Sequence, residues 1–355
     1  MINVSNPPTF EGPVCPLPLV HNDVIVMGHG SGGRMTQELV DRVFKKYLSN
    51  PILGEGNDFG QVPSQPGRLA VSTDSHIITP LFFPGGDIGK LSISGTVNDV
   101  AVSGAIPLYI TAGFIIEEGF PISDLEKIAR SMAETAQQAG VQLISGDTKV
   151  AEKGKVDKLF INTTGFGWIP DNLNIGGQYA CPGDVVLISG TLGDHGIAVL
   201  AARGELGFET EIHSDVAPLN GLIKTLLQAA PNTHVLRDPT RGGLATTLNE
   251  IAVQSHLAVV LIEDKIPVRR EVRAACDMLG FDPLYLANEG KLIVIVPENE
   301  AAAALEAMQA HPLGKLAARI GTVQAAPRDR VLMQTPIGGS RILDVLAGEM
   351  LPRIC

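Results

Sequence analysis

Residues 87–140 read DIGKLSISGTVNDVAVSGAIPLYITAGFIIEEGFPISDLEKIARSMAETAQQAG. The stretch from Asp87 to Gly104 has helical character, and Pro107 to Glu117 is an apolar run of strand length. From Ser123 the pattern turns helical again. Ser123 and Glu126 form a capping-box signature. Leu125, Ile128, Ala129, Met132, Ala133 and Ala136 share one face by the three-and-four spacing, and Gly140 closes the helix. Further strands are expected at 141–146 and 159–168. Helices and strands that alternate in this way predict a mixed α/β domain.

Working outward, a short strand at Val24 to Met27, a helix over 35–48 and a strand at Arg68 to Thr73 precede this block. PDNLNIGGQYACPGD, residues 170–184, is rich in turn residues and marks a domain boundary. Beyond it, DVVLISG, AVVLIE and KLIVIVP read as strands, and 217–229, 242–254 and 298–310 as helices. The expected organisation is an N-terminal arm over 1–23, a domain over 24–170, a second domain over 171–346 and an exposed, flexible tail over 347–355. Pro352 in the tail stops any helix from continuing.

With 355 residues, the chain is long enough for two cores. Its net charge of -11 and its single Trp disfavour nucleic acid and anionic membrane surfaces as partners. No apolar run reaches the roughly 20 residues of a membrane span, and the first residues lack the pattern of a leader, so a cytoplasmic protein is expected. The cysteines at 15, 181, 276 and 355 are scattered without a CxxC pair, which argues for reduced thiols.

Several short segments carry candidate chemistry. GHGSGG at 28–33, expected between a strand and a helix, could turn the N–H groups of Gly30, Ser31, Gly32 and Gly33 onto a phosphate, although a plain tight turn reads equally well. Asp58, Asp74, Asp99 and Asp147 stand in NDFG, STDSH, TVNDV and SGDTK. Together with Asn98 as a neutral donor, they suit a hard cation such as Mg²⁺, while each alone also reads as a cap or turn residue. RDPTRGG places Thr240 before a helix, with Arg237 and Arg241 as candidate phosphate contacts. His195 either reaches a phosphate or simply begins a helix. Lys149 and Glu289 are charges beside apolar strands, where burial would suit them to proton transfer. The sequence ends in PRIC. A thiol at Cys355 is either incidental or a nucleophile on a swinging arm.

GHGSGG, STDSH, GTVNDVAVSGAIP, SGDTKV, RDPTRGG, NEGKL and the final PRIC together resemble the HypE family of hydrogenase maturation proteins. The likeness runs from about Val24 to Cys355. Most of these segments also look like the wider ATP-using superfamily of aminoimidazole ribonucleotide synthetase, thiamine monophosphate kinase and selenophosphate synthetase, and PRIC discriminates.

The resemblance implies a PurM-like homodimer of two-domain subunits, with the N-terminal sheets joined as a barrel across the dimer. It implies Mg-ATP held by Gly30 to Gly33, Asp58, Asp74, Asn98, Asp99, Asp147 and Arg241, with Asp58, Asp74, Asp99 and Asp147 nearest the metal. It further implies that Cys355 accepts a carbamoyl group from a HypF carbamoyltransferase, that ATP-driven dehydration turns it into a thiocyanate, and that cyanide passes to iron on HypC–HypD. Glu289 as base and Lys149 as relay are expected to move the protons. The arm, with its second thiol Cys15, is longer than the resemblance requires and is expected to be non-catalytic. Two rival readings are a small-molecule kinase of the superfamily with an inert tail, and a scaffold without chemistry.

Overall fold

The computed structural model describes residues 23–204, 211–346, 348, 351 and 354. The strand expected at 24–27 is reduced to an isolated bridge between Val24 and Pro121. A short 3-10 turn (Met27–Gly30) follows, so the glycine run does not begin at a strand end. The helix expected over 35–48 is α1 (Arg34–Leu39), continued through a π-helical turn (Val40–Lys45) into α2 (Lys46–Leu48), with the one-turn α3 (Pro51–Gly54) after it.

Next come β1 (Arg68–His76), the small hairpin β2 (Phe82–Phe83) and β3 (Gly86–Asp87), then α4 (Ile88–Val102) and β4 (Ile106–Glu117). The Asp87 carboxylate accepts from the N–H groups of Gly89 and Lys90 and so caps α4. α5 (Ile122–Ala139) begins two residues earlier than its sequence signature suggests. Pro121 is its N-cap and Ser123 lies inside the first turn, so the capping box is not formed. Gly140 closes the helix with a φ of 70°, as expected of a left-handed C-cap.

β5 (Gln142–Ala151) and β6 (Leu159–Ile169) complete a four-stranded sheet of order β1-β6-β4-β5. β4 and β5 are parallel, joined over α5, and the other pairings are antiparallel. α4 lies against one face of this sheet, and 12 of its residues are buried. Its close approach depends on glycines in β6: a Cβ on Gly165 would stand 2.7 Å from the Thr96 side chain.

The second domain is built on a seven-stranded sheet. Its strands are β7 (Val185–Ile188), β8 (Val235–Arg237), β9 (Ala258–Ile262), β10 (Ile293–Val296), β11 (Ala318–Gln324), β12 (Arg330–Gln334) and β13 (Ser340–Leu343). They run in the order β13-β12-β9-β11-β7-β10-β8, antiparallel except for β9 beside β12. Five helices accompany the sheet: α6 (Asp194–Ala202), α7 (Asn220–Ala229), α8 (Gly243–Ser255), α9 (Arg270–Leu279) and α10 (Glu298–Ala310).

The two halves share apolar packing, because the core around α4 and α5 also takes Val199, Val216, Ala287 and Ile354 from the C-terminal half. Asn98 fastens the joint. Its Nδ2 donates to the Ala217 carbonyl at 3.1 Å, and its Oδ1 accepts from Leu219 N at 2.7 Å. No helix among the described residues is long and apolar enough to cross a membrane.

Gly348 of the tail is exposed, but the described residues beyond it are not. Ile354 is buried and forms an antiparallel bridge with Ile78. Leu351 is half-buried and packs against the same core. These two apolar side chains, three residues apart, gain more from leaving water than a free tail would. Cys355, Pro352 and Arg353 lie outside the described residues, as do Cys15 and the arm to residue 22.

Candidate functional site

Strand pleat decides which of the expected acidic residues meet. In β1, Ser72, Asp74 and His76 point toward α4, since alternate residues face opposite ways. Ser72 Oγ donates to Asp99 Oδ2 at 2.8 Å, which brings Asp99 of α4 alongside Asp74. Asp74 Oδ2 lies 3.7 Å from His76 Nε2, and its Oδ1 lies 3.7 Å from Arg241 Nη2 of the loop before α8. That loop also carries Asp238, buried between Arg237 and Pro239. Glu289, only 3% exposed, completes the group from the segment before β10, and its Oε1 has no hydrogen-bond partner among the described residues.

Four carboxylates at the junction of the two domains repel one another. Burial pushes the Asp99 carboxyl up; the Ser72 hydroxyl offsets part of this, and Asp74 adds to it. Asp238 is pushed up to about 7, first by burial and then by Asp99. Glu289 rises well above the usual range through burial, then through Asp215, Asp238, Asp74 and Asp99. Such a group is short of positive charge. A hard divalent cation with nucleotide phosphates fits it chemically, because carboxylate oxygens are the ligands it takes.

Behind Glu289 stands a second, satisfied network. Asp215 accepts from Glu289 N at 3.2 Å, Gly290 N at 3.2 Å and Lys291 Nζ at 3.0 Å. Burial alone would raise the Asp215 carboxyl, but Lys291 and the Glu289 N–H hold it below the usual range. Lys291 also lies 3.7 Å from Asp194 Oδ2, and Arg269 Nε sits 3.2 Å from Asp194 Oδ1. Next to Asp215, Ser214 Oγ is 2.8 Å from His195 Nδ1, and His195 Nε2 is 2.7 Å from the Ile354 carbonyl. The end of the tail is thus tied to the segment that holds Glu289.

The structure separates several residues expected to act together. Asp147 shares a cross-strand row with Gly113, Asn162 and Ser75, whereas Asp74 lies in the next row with Thr163 and Ala112. Asp147 therefore points to the outer face of the sheet, away from Asp74, and stands three strand spacings off, about 14 Å. Lys149 is on that outer face too, with its Nζ 2.8 Å from both carboxylate oxygens of Asp147. This contact holds the Asp147 carboxyl below its usual range. The expected relay from Lys149 to Glu289 is not made within this chain; the ammonium nearest that segment is Lys291.

Asp58 is exposed in the loop after α3, and no shared contact joins it to the other aspartates. Asn98 spends its amide on the domain joint instead of facing a cation. Gly30 packs on Val150 of β5, where a Cβ would stand 2.6 Å from the backbone nitrogen, so the glycine loop lies against the edge strand that also carries Asp147 and Lys149. Within that loop the Ser31 hydroxyl donates to the Gly28 carbonyl, and Gly32 N to Thr36 Oγ1. Thr240 does not cap α8, since Gly242, at a φ of 74°, is the N-cap residue. His195 does begin α6, and it also binds the tail. Asp238, Asp215 and Lys291 were not singled out by the sequence reading, although RDPTRGG and NEGKL contain two of them. Apart from this site, Cys181, Asp184 and His234 lie close together, but Asp184 Oδ2 already accepts from Cys181 N and lies 2.8 Å from His234 Nδ1.

The outer sheet face is apolar and open: Leu69, Val71, Ile106 and Ile115 are 56%, 54%, 60% and 45% exposed. Phe160, Phe166 and Trp168 of β6 lie in the same rows.

Residues 56–169 match the family of AIR synthase related proteins, N-terminal domain, and 181–334 match its C-terminal domain. The chain is 54% identical over 336 residues to the carbamoyl dehydratase HypE of Azotobacter vinelandii, covering 95% of this chain and 98% of that protein. It resembles a crystal structure of the hydrogenase maturation protein HypE in complex with ATP, with a TM-score of 0.89 and 50% identity over 93% of this chain and 99% of that one. A HypE–HypF complex matches with a TM-score of 0.77 and 50% identity over 87% of this chain and 99% of that one. With this identity over almost its whole length, an acidic cleft at the domain junction and a tail that ends beside it, the chain belongs to the HypE family of hydrogenase maturation proteins.

Proposed function

We propose that this protein is an ATP-dependent carbamoyl dehydratase that works on a group carried by its own Cys355. The observation that carries the reading is the docked tail: the Ile354 carbonyl bonds His195, which bonds Ser214, beside the Asp215 that holds the Glu289 backbone. A group on the next residue is thereby delivered to the segment bearing Glu289.

In the proposed reaction, the oxygen of the thiocarboxamide S–C(=O)NH₂ attacks the γ-phosphorus of ATP and ADP leaves. One N–H proton is lost as the C=N bond forms. The second N–H proton then goes to a base, its electron pair completes C≡N, and the C–O bond breaks with phosphate as the leaving group. Without phosphorylation the leaving group would be oxide, which is why ATP is required. Glu289, whose basicity is raised by its surroundings, is the base for the second proton. Asp74, Asp99 and Asp238 would hold Mg²⁺, which when bound offsets charge on the ATP phosphates. Arg241, mostly exposed beside Asp74, is placed to meet a phosphate. Closure of the cleft by Leu351 and Ile354 keeps water from the thioester-like bond.

The carbamoyl donor in this reading is a HypF-like carbamoyltransferase, the kind of partner with which the related HypE is complexed. The acceptor of the product is a HypC–HypD iron complex. The exposed outer face of the four-stranded sheet supports a homodimer through that face, which would bring Asp147, Lys149 and the glycine loop of each copy to the interface. The domain limits in this reading are 24–170 and 171–346. Mass spectrometry of the C-terminal peptide after incubation with HypF, carbamoyl phosphate and ATP tests the reading. Cys355 is expected to gain a carbamoyl group that ATP converts to a nitrile; a carbamoyl group that persists in ATP defeats it.

A further inference from the structure

The first turn of α6 is shaped around the tail. Its residue His195 is fully buried, with Nε2 2.7 Å from the Ile354 carbonyl and Nδ1 2.8 Å from Ser214 Oγ. The ring is fixed from the side by Phe83, edge-on at 5.5 Å between centroids. Carbonyl oxygens only accept, so Nε2 must carry the proton that Ile354 receives. The serine hydroxyl can then donate to Nδ1, which leaves the imidazole neutral and both of its nitrogens satisfied.

The neighbouring residues serve the same tail. At Gly196 an added Cβ would crowd Leu286 Cβ at 3.3 Å and touch Leu351 Cδ1 at 3.4 Å, and Leu351 packs against the apolar cluster that includes Ile197 and Ala198 of this helix. Arg203, at the other end of α6, donates from Nε to the Thr79 carbonyl at 2.6 Å. Thr79 follows Ile78, the residue that pairs with Ile354. One helix therefore holds the tail by a side-chain bond, packs against its leucine and braces the segment it pairs with. On its far side, Asp194 is tied to Lys291 in the segment that carries Glu289.

We infer that His195 is a positioning residue that holds the tail in the cleft, through the bond from its Nε2 to the Ile354 carbonyl. Loading of the thiol and turnover of the loaded group are then separate demands on the tail, and His195 serves only the second. This inference rests on the reaction proposed above for the chemistry it predicts, but not for the docking itself.

Glutamine and asparagine separate the bond from mere space filling. A Gln amide nitrogen reaches about the position of Nε2 and can donate to Ile354, whereas an Asn amide reaches only about the position of Nδ1. The experiment compares His195→Ala, His195→Gln and His195→Asn in the full chain by hydrogen–deuterium exchange of the C-terminal peptide, and by single-turnover conversion of carbamoylated protein to the nitrile. In His195→Ala and His195→Asn, exchange is expected to quicken and dehydration to slow, each on the order of tenfold, with loading by HypF unchanged. His195→Gln is expected to restore most of both. Unchanged exchange and turnover in His195→Ala, or Asn rescuing as well as Gln, overturns the inference. If the wild type forms no nitrile yet His195→Ala and His195→Asn quicken exchange and Gln restores it, the proposed reaction fails and the anchor stands.

Discussion

Replacing Asp238 by Asn removes one charge from the carboxylate group at the domain junction at almost no change in shape. Asp238 is 8% exposed, and its carboxyl is pushed from the ordinary 3.8 up to about 7 by burial and then by Asp99. A folded-state value above the unfolded one means that the folded protein binds more protons between the two. Stability therefore falls as pH rises across that window, from about 4 to about 7. At 1.36 kcal/mol per pH unit, the rise from 3.8 to about 7 corresponds to about 4 kcal/mol, drawn first from burial of the charge and then from repulsion by Asp99 and Asp74. The Asn variant escapes this cost.

In nucleotide-free buffer without divalent cations, the melting temperatures of the two proteins should coincide near pH 4 and diverge up to pH 7. The variant should then lead on the order of 8 °C, at roughly 2 °C per kcal/mol for a domain of this size. Adding Mg²⁺ with ATP should stabilise the wild type more than the variant, because a ligand set that binds only the folded state raises its stability by mass action. Scanning calorimetry across pH 4 to 8 measures both effects. If wild type and variant keep the same pH dependence, the carboxylates do not repel as described and the case for a cation among them collapses.

Two further changes probe other parts of the molecule. Glu289→Gln keeps the size of a buried side chain whose Oε1 has no partner among the described residues; single-turnover dehydration should fall about 10²-fold to 10⁴-fold, the usual worth of a general base, with carbamoyl loading of Cys355 intact. A loss of less than threefold would remove Glu289 from the proton transfer. Val71→Asp places a charge on the open sheet face, in edge strand β1, where Val71 pairs with Phe166; sedimentation velocity should show a shift from dimer to monomer, and an unchanged dimer would place the interface elsewhere.

Much of the fold was legible because its elements are periodic. The stripe on α5 fixed that helix to within two residues, and α10 falls on 298–310 as expected. What misled was local: Ser123 and Glu126 carry a capping signature, but the chain enters α5 from Pro121, so Ser123 arrives too late to cap it. Helix α9 and strands β8 and β11 to β13 were not anticipated, and α6 was foreseen only at its start, at His195. α6 is short and mostly buried, so its apolar residues do not mark a single face.

For the site, sequence by itself determined the inventory: acidic segments without a P-loop, an RDPTRGG turn, an NEGKL segment and a final cysteine, a combination that resembles one family. Asp147 and Lys149 lie beyond the strand expected at 141–146 and share a face because β5 runs on to Ala151. Only the tertiary structure decided which face that is. The strand register turns Asp147 outward and Asp74 inward, the domain joint consumes Asn98, and the loop before α8 brings in Asp238. The tail shows the same division. The sequence placed a thiol at its end, whereas its docking arises from a carbonyl and a histidine 159 residues apart, a pairing that exists only once both domains have folded around it.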